Sequence, residues 1–319
     1  MKVLVTGATG FVGSALMKAL LKHPEVFVVA ACREPGPVCH PKLKWVRVGE
    51  LGATTNWREA LEGIQIVIHC AAANSAEGGN AAERAQRLYE INAAGTARVA
   101  SEAAAQGVSR FLYFSTIKVH GETGGPYTET SPHNPVSPYA VSKSAAESKL
   151  TEICHETGME YVIIRPPLVY GPGVKGNFRM LMRWANSSVP ILINRIQNKR
   201  SMIYLDNMVQ FTQLAMQHPA AANQSFLVSD GADFSTAQIL IGLRELYGRR
   251  PLRWSLPRAV FQLATALPGL NSIVDRIASS LTLDSSKARQ LLGWEPKVTE
   301  FKGFEETLAV EKTVTKERH

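Results

Sequence analysis

The chain has 319 residues, 45% of them hydrophobic and 19% charged, with a formal net charge of +8. Such values describe a globular protein long enough for one large α/β domain, or for a large domain with a small one. No apolar run is long enough to span a bilayer, the first residues read as a strand rather than a signal peptide, and no basic stripe interleaves with aromatics. A cytoplasmic protein with no integral membrane segment and no nucleic-acid partner is therefore expected, its positive charge suiting an anionic ligand.

In chain order, short β-branched runs alternate with helical patterns. Strands are predicted at Lys2–Thr6, Val26–Ala31, Leu43–Val48, Ile64–His69, Arg110–Ser115 and Tyr161–Arg165, and helical segments at Ser14–Leu21, Trp57–Leu61, Ala82–Gln106 and Pro138–Thr157. This alternation predicts an α/β fold with a doubly wound parallel sheet. Ser137 can cap the helix at Pro138, the proline fits its first turn, and Gly158 can end it. Beyond Arg165, prolines and glycines at Pro166, Pro167, Gly171, Pro172, Gly173 and Gly176 mark a loop-rich stretch. A strand and helix follow over Ser201–His218, then a strand at Gln224–Ser229; Thr236–Leu308 reads as mostly helical. Residues 1–167 are thus expected to form a nucleotide-binding domain, with 201–230 adding to it, and 168–200 with 231–319 a smaller, mostly helical substrate region. Within the latter, Pro257–Pro268 and Ser272–Leu283 are apolar with basic flanks and read as a core-packing helix pair, or as an interfacial surface. The tail from Glu311 to His319 reads as a solvated, frayed end.

The first predicted strand runs into Gly7-Ala-Thr-Gly10-Phe-Val-Gly13 and a helix start. Glycines let backbone approach a pyrophosphate, and a helix N-terminus supplies N–H groups and the positive end of a dipole, so dinucleotide binding is expected here. A fold that selects NAD commonly has an acid at the end of the second strand, against the ribose 2′-hydroxyl. This chain has Ala30-Ala31-Cys32-Arg33 instead. Arg33 can pair with a 2′-phosphate, which favours NADP(H). Otherwise it stacks on adenine or faces solvent while Glu34 swings in, and NAD(H) is the cofactor.

Tyr139 and Lys143 lie four residues apart on one face of the helix predicted from Pro138. The ammonium is expected to favour the phenolate and bring Tyr139 well below the free phenol pKa of ~10, making it a proton donor or acceptor for hydride chemistry at a carbinol carbon. The cysteines Cys32, Cys39, Cys70 and Cys154 form no C-x-x-C pair and read as buried free thiols, with no metal site expected. His69 reads as a packed, hydrogen-bonded residue. The loop Gly121–Pro138 suits a substrate lid, or is a plain surface loop.

The chain resembles the extended short-chain dehydrogenases/reductases, the family of NAD-dependent sugar epimerases and dehydratases. The resemblance rests on Thr6-Gly-Ala-Thr-Gly-Phe-Val-Gly13, His69-Cys-Ala-Ala72, Asn92-Ala-Ala-Gly-Thr96, Phe114-Ser-Thr-Ile-Lys-Val-His-Gly121, Tyr139-Ala-Val-Ser-Lys143, Arg165-Pro-Pro-Leu-Val-Tyr-Gly-Pro172, Arg200-Ser-Met-Ile-Tyr-Leu-Asp206 and Asp284-Ser-Ser-Lys-Ala-Arg-Gln-Leu-Leu-Gly-Trp294. It implies a Rossmann fold with Tyr139 as acid/base, Lys143 as its tuning partner on the nicotinamide ribose, and Thr116 on the sugar oxygen. It implies cofactor contacts at Gly7, Thr9, Gly10, Phe11, Val12, Gly13, Arg33, Glu50, Leu51, Ala71, Ala72, Asn92, Ser115, Lys143 and Pro166. Substrate contacts would come from Asn74, Thr116, Tyr139, Asn177 and Arg200, the arginine gripping a nucleotide diphosphate. Asn92, Thr116 and Arg200 each have a plain structural alternative, as a backbone partner, a packed strand end and a solvated turn. A homodimer is also implied.

Departures from the family pattern narrow the chemistry. Sugar 4,6-dehydratases carry Thr-Asp-Glu at the Thr116 site, whereas this chain has Ile117 and Lys118. Simple hydride transfer at one carbon is left. The reading preferred from sequence is reduction of the C4 keto group of a UDP-4-keto-(6-deoxy)hexose or hexosamine in bacterial surface-polysaccharide synthesis. The alternatives are a UDP-hexose 4-epimerase of glucose or N-acetylglucosamine type, with tightly bound NAD, and a non-catalytic nucleotide-binding scaffold.

Overall fold

The structure, a computed structural model, describes residues 1–189, 197–250 and 279–316. The predicted β-α alternation produces a seven-stranded, wholly parallel sheet. Its strands are β1 (Lys2–Thr6), β2 (Phe27–Cys32), β3 (Leu43–Arg47), β4 (Ile66–His69), β5 (Arg110–Phe114), β7 (Glu160–Arg165) and β10 (Gln224–Leu227), in the spatial order β10-β7-β5-β4-β1-β2-β3. Both faces are covered, as near-continuous apolar strands require. Alternate residues point to opposite faces. Val3, Val5, Val28 and Ile68 join one core with Leu16 of α1 (Phe11–Leu20) and Phe211 of α6 (Leu205–Gln217). Leu4, Val29, Val67 and Phe111 join the other with Val99 of α3 (Gly95–Ala105) and Leu150 of α4 (Pro138–Thr157).

The α4 helix begins and ends where the sequence reading placed it. Ser137 accepts the Ala140 N–H at 3.3 Å, and Gly158 closes the helix at φ 75°. The segment expected to be one helix over Ala82–Gln106 is broken: α2 (Ala81–Tyr89) passes into a π-turn at Glu90–Ala94 before α3 starts. Trp57–Leu61 forms turns rather than a helix, although Trp57 is buried.

A second, smaller sheet has the order β11-β9-β12-β6, with β8 (Leu168–Tyr170) beside β9. Its members are β6 (Gly124–Tyr127), β9 (Arg200–Tyr204), β11 (Asp233–Phe234) and β12 (Leu281–Leu283). Residues 201–230 therefore divide. The strand β9 belongs to the small sheet, while α6 and β10 return to the large one. The small sheet packs with α5 (Gly176–Ala185), α7 (Thr236–Leu246) and α9 (Glu300–Lys316) around Tyr170, Phe178, Tyr204 and Phe304. The short α8 (Ser286–Leu292) instead joins the large core through Ala288 and Leu292.

The helix pair expected over Pro257–Pro268 and Ser272–Leu283 lies outside the described residues except at its end, where Leu281–Leu283 is a strand. The tail is not frayed from Glu311: α9 continues to Lys316, and Glu311 accepts a hydrogen bond from the Tyr247 hydroxyl at 3.1 Å. Among the described residues, no helix is long and apolar enough to cross a membrane.

One buried asparagine locks the two sheets' connections together. Asn207, 0% exposed, donates to Asp230 at 2.7 Å and to the Val298 carbonyl at 2.8 Å, and accepts from the Lys297 and Val298 N–H groups. Asp230 in turn accepts from the Tyr170 hydroxyl and the Tyr204 N–H. Asn207→Ala strands several of these buried groups and is expected to lower unfolding free energy by about 3 kcal/mol, read from urea denaturation.

Candidate functional site

The strand order reverses between β1 and β4, and an open parallel sheet forms its ligand crevice at such a point, outside the carboxyl ends of the strands. Here the β1 turn and the segment after β4 meet so closely that a Cβ on Gly7 would lie 2.8 Å from the Ala71 nitrogen. Gly7 has φ +64°, and a Cβ on Gly13 would lie 2.3 Å from the Gly7 carbonyl oxygen, so both positions demand glycine. The N-terminus of α1 follows at Phe11, with no side-chain cap on its N–H groups and no acid in its first turn. Those free donors and the dipole suit a phosphate.

The resulting cleft has a volume of about 970 Å³. Gly7, Thr9, Gly10, Arg33, Glu50, Leu51, Ala71 and Ala72 line it, together with Trp57, Arg87 and Glu90. Phe11 faces an adjoining groove between α1 and α6 instead, and Gly13 is buried in the turn. Arg33 is exposed at the cleft wall, while Glu34 is paired with Arg47 at 3.1 Å and does not stand in for the missing acid.

A chain of buried hydrogen bonds links this cleft to α4. The Ala71 N–H donates to Thr6 Oγ1, which contacts His69 Nδ1 at 2.8 Å. His69 Nε2 meets Thr96 Oγ1 at 3.1 Å, and the Thr96 hydroxyl donates to the Asn92 carbonyl at 2.6 Å. These directions fit one neutral tautomer, with Nδ1 accepting and Nε2 donating. Burial first, and then the nearby Lys143, push the His69 pKa down to about 3. His69 is packed and saturated, as the sequence reading expected. Asn92, in the π-turn, holds Ala73 through its N–H and carbonyl at 2.8 and 2.9 Å and donates to Ser142 Oγ at 2.9 Å. Ser142 donates to the Tyr139 carbonyl at 2.8 Å. The Asn92 side chain thus joins the segment after β4 to α4.

Tyr139 and Lys143 stand on the inner face of α4. Lys143 is 2% exposed, with Nζ 4.2 Å from the centre of the Tyr113 ring. Proximity does not lower the Tyr139 pKa. Burial pushes it up to about 12 and pushes the Lys143 ammonium down to about 7, with Glu147 and Cys70 opposing the latter shift. Four-residue spacing foretold the shared helix face but not the desolvation, which sets both shifts.

Ser115 and Thr116 directly follow β5. Thr116 Oγ1 accepts from the Lys118 N–H at 3.3 Å, and the buried Ser115 hydroxyl has no partner. Ile117 is buried, and the Lys118 ammonium pairs with Glu122 at 2.6 Å. Pro166 is buried and accepts from the Ile117 N–H. Asn74 and Asn177 are exposed, away from hydrogen-bonding reach of the pair, and Arg200 is half-buried with one nitrogen 3.1 Å from Ser279 Oγ.

Three features escaped the sequence reading. Glu147, one turn beyond Lys143, forms a buried pair with Arg165. Glu122 joins Lys118 to Ser137, the cap of α4, at 2.6 Å. The loop before α4 is tied to its surroundings: Glu129 accepts from the Leu227 N–H, its carbonyl accepts from Arg165, and β6 pairs with β12. Of the cysteines, Cys32 and Cys154 are buried and Cys70 half-buried, but Cys39 is exposed; all four are free thiols.

The parallel sheet, the glycine turn and the tyrosine–lysine pair define a Rossmann-fold oxidoreductase of the short-chain dehydrogenase/reductase type. The model of the NAD dependent epimerase/dehydratase family matches residues 3–229, and the chain belongs to that family of NAD-dependent enzymes. It is 38% identical over 309 residues to a UDP-glucose 4-epimerase of Vibrio cholerae, spanning 96% of this chain and 94% of that protein. Among solved structures it is similar to a UDP-glucuronic acid 4-epimerase from Bacillus cereus in complex with NAD, with a TM-score of 0.80 and 24% identity over 98% of this chain and 99% of that one. A UDP-glucose 4-epimerase from Thermotoga maritima with UDP-glucose has a TM-score of 0.77 and 24% identity, covering 99% and 100% of the two chains.

The depressed Lys143 pKa has a consequence for stability. The unfolded chain binds this proton near the ordinary 10.5 and the folded site only near 7, so burial destabilises the fold fully below pH 7 and less as pH rises toward 10.5. Lys143→Met is expected to raise the melting temperature by roughly 5 °C at pH 7, and by clearly less at pH 9.5, in thermal denaturation.

Proposed function

We propose that this enzyme exchanges a hydride and a proton at C4 of a nucleotide-diphosphate hexose. The observation that carries the reading is half-buried Tyr139 with buried Lys143 on one face of α4, in a fold whose crevice is built by Gly7 and Ala71. The residues fit a dinucleotide. Glycines leave backbone room, the N-terminus of α1 offers uncapped donors, and Ser115 presents a buried hydroxyl without a partner. Gly7, Thr9, Gly10, Glu50, Leu51, Ala71 and Ala72 would hold its nucleotide portions, with Lys143 on the nicotinamide ribose. When bound, the nicotinamide supplies or accepts the hydride.

The chain's own part is proton and oxygen management. Tyr139 places its hydroxyl on the C4 oxygen, Thr116 holds the same oxygen with a second hydroxyl, and Lys143 supplies positive charge near the phenol. Asn74, Asn177 and Arg200 are assigned to the sugar-nucleotide, the arginine to its diphosphate. Ile117 offers no proton and Lys118 is bound to Glu122, so a water-eliminating step across C5 and C6 lacks an acid and a base here.

Two outcomes share this machinery. Net reduction of a 4-keto sugar needs a protonated group at the C4 oxygen, and burial keeps the Tyr139 phenol protonated at neutral pH. Arg33 at the cleft wall, with Glu34 turned to Arg47, supports NADP(H), a cofactor that must exchange after each turnover. Epimerisation at C4, with a retained NAD, is favoured by the 38% identity to the Vibrio cholerae UDP-glucose 4-epimerase. The same relative supports a UDP-sugar as substrate.

An NMR time course separates the two. UDP-glucose or UDP-N-acetylglucosamine with no added cofactor would interconvert with its C4 epimer under epimerisation. A UDP-4-keto-6-deoxy-N-acetylhexosamine with NADPH would be lost with stoichiometric cofactor oxidation under reduction, which is the expected result. Tighter binding of NADH than of NADPH would remove the NADP(H) assignment. Tyr139→Phe is expected to reduce turnover by about 10³-fold with cofactor affinity nearly intact; persistent turnover would overturn the acid/base role.

A further inference from the structure

We propose that Glu147 is a positioning residue for the C4 reaction: clamped by Arg165, it keeps Lys143 in its ammonium form one helical turn from Tyr139. This rests on the role proposed above for the tyrosine–lysine pair. Residues 139, 143 and 147 follow one another at four-residue steps, so they share one face of α4. Glu147 and Arg165 are only 3% and 5% exposed. Arg165 donates from Nε to Oε1 at 3.0 Å and from Nη2 to Oε2 at 2.6 Å, a bidentate geometry that fixes the carboxylate.

The far side of the clamp is also held. Arg165 Nη1 donates to His120 Nε2 at 3.1 Å and to the Glu129 carbonyl at 3.3 Å. His120 is therefore the Nδ1-protonated tautomer, donating to the Pro132 carbonyl at 3.3 Å. His133 Nε2 is 3.7 Å from Glu147, and burial holds both histidines toward the neutral form. Arg165 is thus engaged on two sides, with the Glu147 carboxylate held on one of them.

The groups facing Lys143 are few. Its ammonium lies over the Tyr113 ring of β5. His69 at the end of β4 and Cys70 just after it interact with its charge, and Tyr139 and Glu147 flank it on α4. Burial makes His69 neutral and keeps the Cys70 thiol and the Tyr139 phenol protonated. Glu147 is left as the acidic side chain that favours the ammonium form of Lys143. An opposite charge at such range favours the charged form of a buried base, whereas a buried glutamate–arginine pair on its own yields little stability over apolar replacements.

The test titrates Lys143 directly. In protein labelled with 13C-lysine, its Cε resonance is assigned by its loss in Lys143→Met and followed through neutral and alkaline pH. In Glu147→Gln the midpoint is expected to fall by about one unit, with the alkaline limb of the kcat profile falling alongside it, while Glu147→Asp stays close to wild type. An unmoved midpoint in folded Glu147→Gln protein would overturn the proposal, and a loss of kcat without a shift would mark Glu147 as merely structural. Should Glu147→Gln not fold, Glu147→Gln with Arg165→Met removes both charges and is judged by the same midpoint. The Tyr139→Phe result stands apart. An active variant sinks the catalytic reading even if the midpoint moves, and an inactive one with an unmoved midpoint sinks only the inference about Glu147.

Discussion

Most of the site depends on one run of buried hydrogen bonds, from the Ala71 N–H through Thr6, His69, Thr96 and Asn92 to Ser142 and the Tyr139 carbonyl. Polar groups taken out of water must be paired, and an unpaired one forfeits roughly 1–3 kcal/mol. Each link here has few alternatives, because the donors and acceptors are used up along the run. The distance between the glycine turn and the first turn of α4 is therefore fixed by chemistry rather than by loop length. The π-turn at Glu90–Ala94 belongs to the same constraint, since it carries Asn92 to both Ala73 and Ser142. Single-turn π segments often accompany functional sites, where a side chain is re-aimed at the expense of regular helix bonding.

Within that frame, desolvation and charge oppose each other at Lys143. Taking an ammonium out of water is unfavourable, and the Tyr113 ring and a single carboxylate recover only part of the loss. The result is a base near 7 beside a phenol near 12, two groups whose proton affinities burial has pushed apart from ordinary values of 10.5 and 10.0. Both shifts have one cause, because desolvation favours the neutral form of each group. It also explains why the site weakens the fold that holds it: the groups that make it reactive are those water would otherwise solvate.

The parts legible in the sequence are those whose signal is local. Five β-branched runs before residue 120 and the cap, proline and glycine around α4 specify their own conformation, and Gly7 and Gly13 announce a backbone approach that no other residue allows. The parts that were not legible depend on partners elsewhere in the chain. The pairing of β9 with β12 and β11 rather than with the large sheet is invisible in Arg200–Tyr204, since a strand does not encode its neighbour. The π-turn was hidden because helical periodicity continues through Ala93, Ala94 and Gly95. Glu147 and Arg165 are eighteen residues apart on different elements and carry no motif. The Tyr139 pKa runs opposite to the expectation because spacing along a helix gives only a shared face, while burial depends on segments distant in the chain.

The small sheet is assembled from segments far apart in the chain. Its strand β6 comes from the loop that precedes α4, and β12 and β9 come from distant parts of the C-terminal half. That loop is joined to the catalytic helix by Glu122 and Ser137, to β7 by Arg165 and to β10 by Glu129. A displacement of the small sheet would thus have to break contacts that also orient Tyr139 and Glu147. Selectivity for the sugar would then reside in the side chains lining a preformed wall, with the proton donor held in register with that wall whichever hexose occupies it.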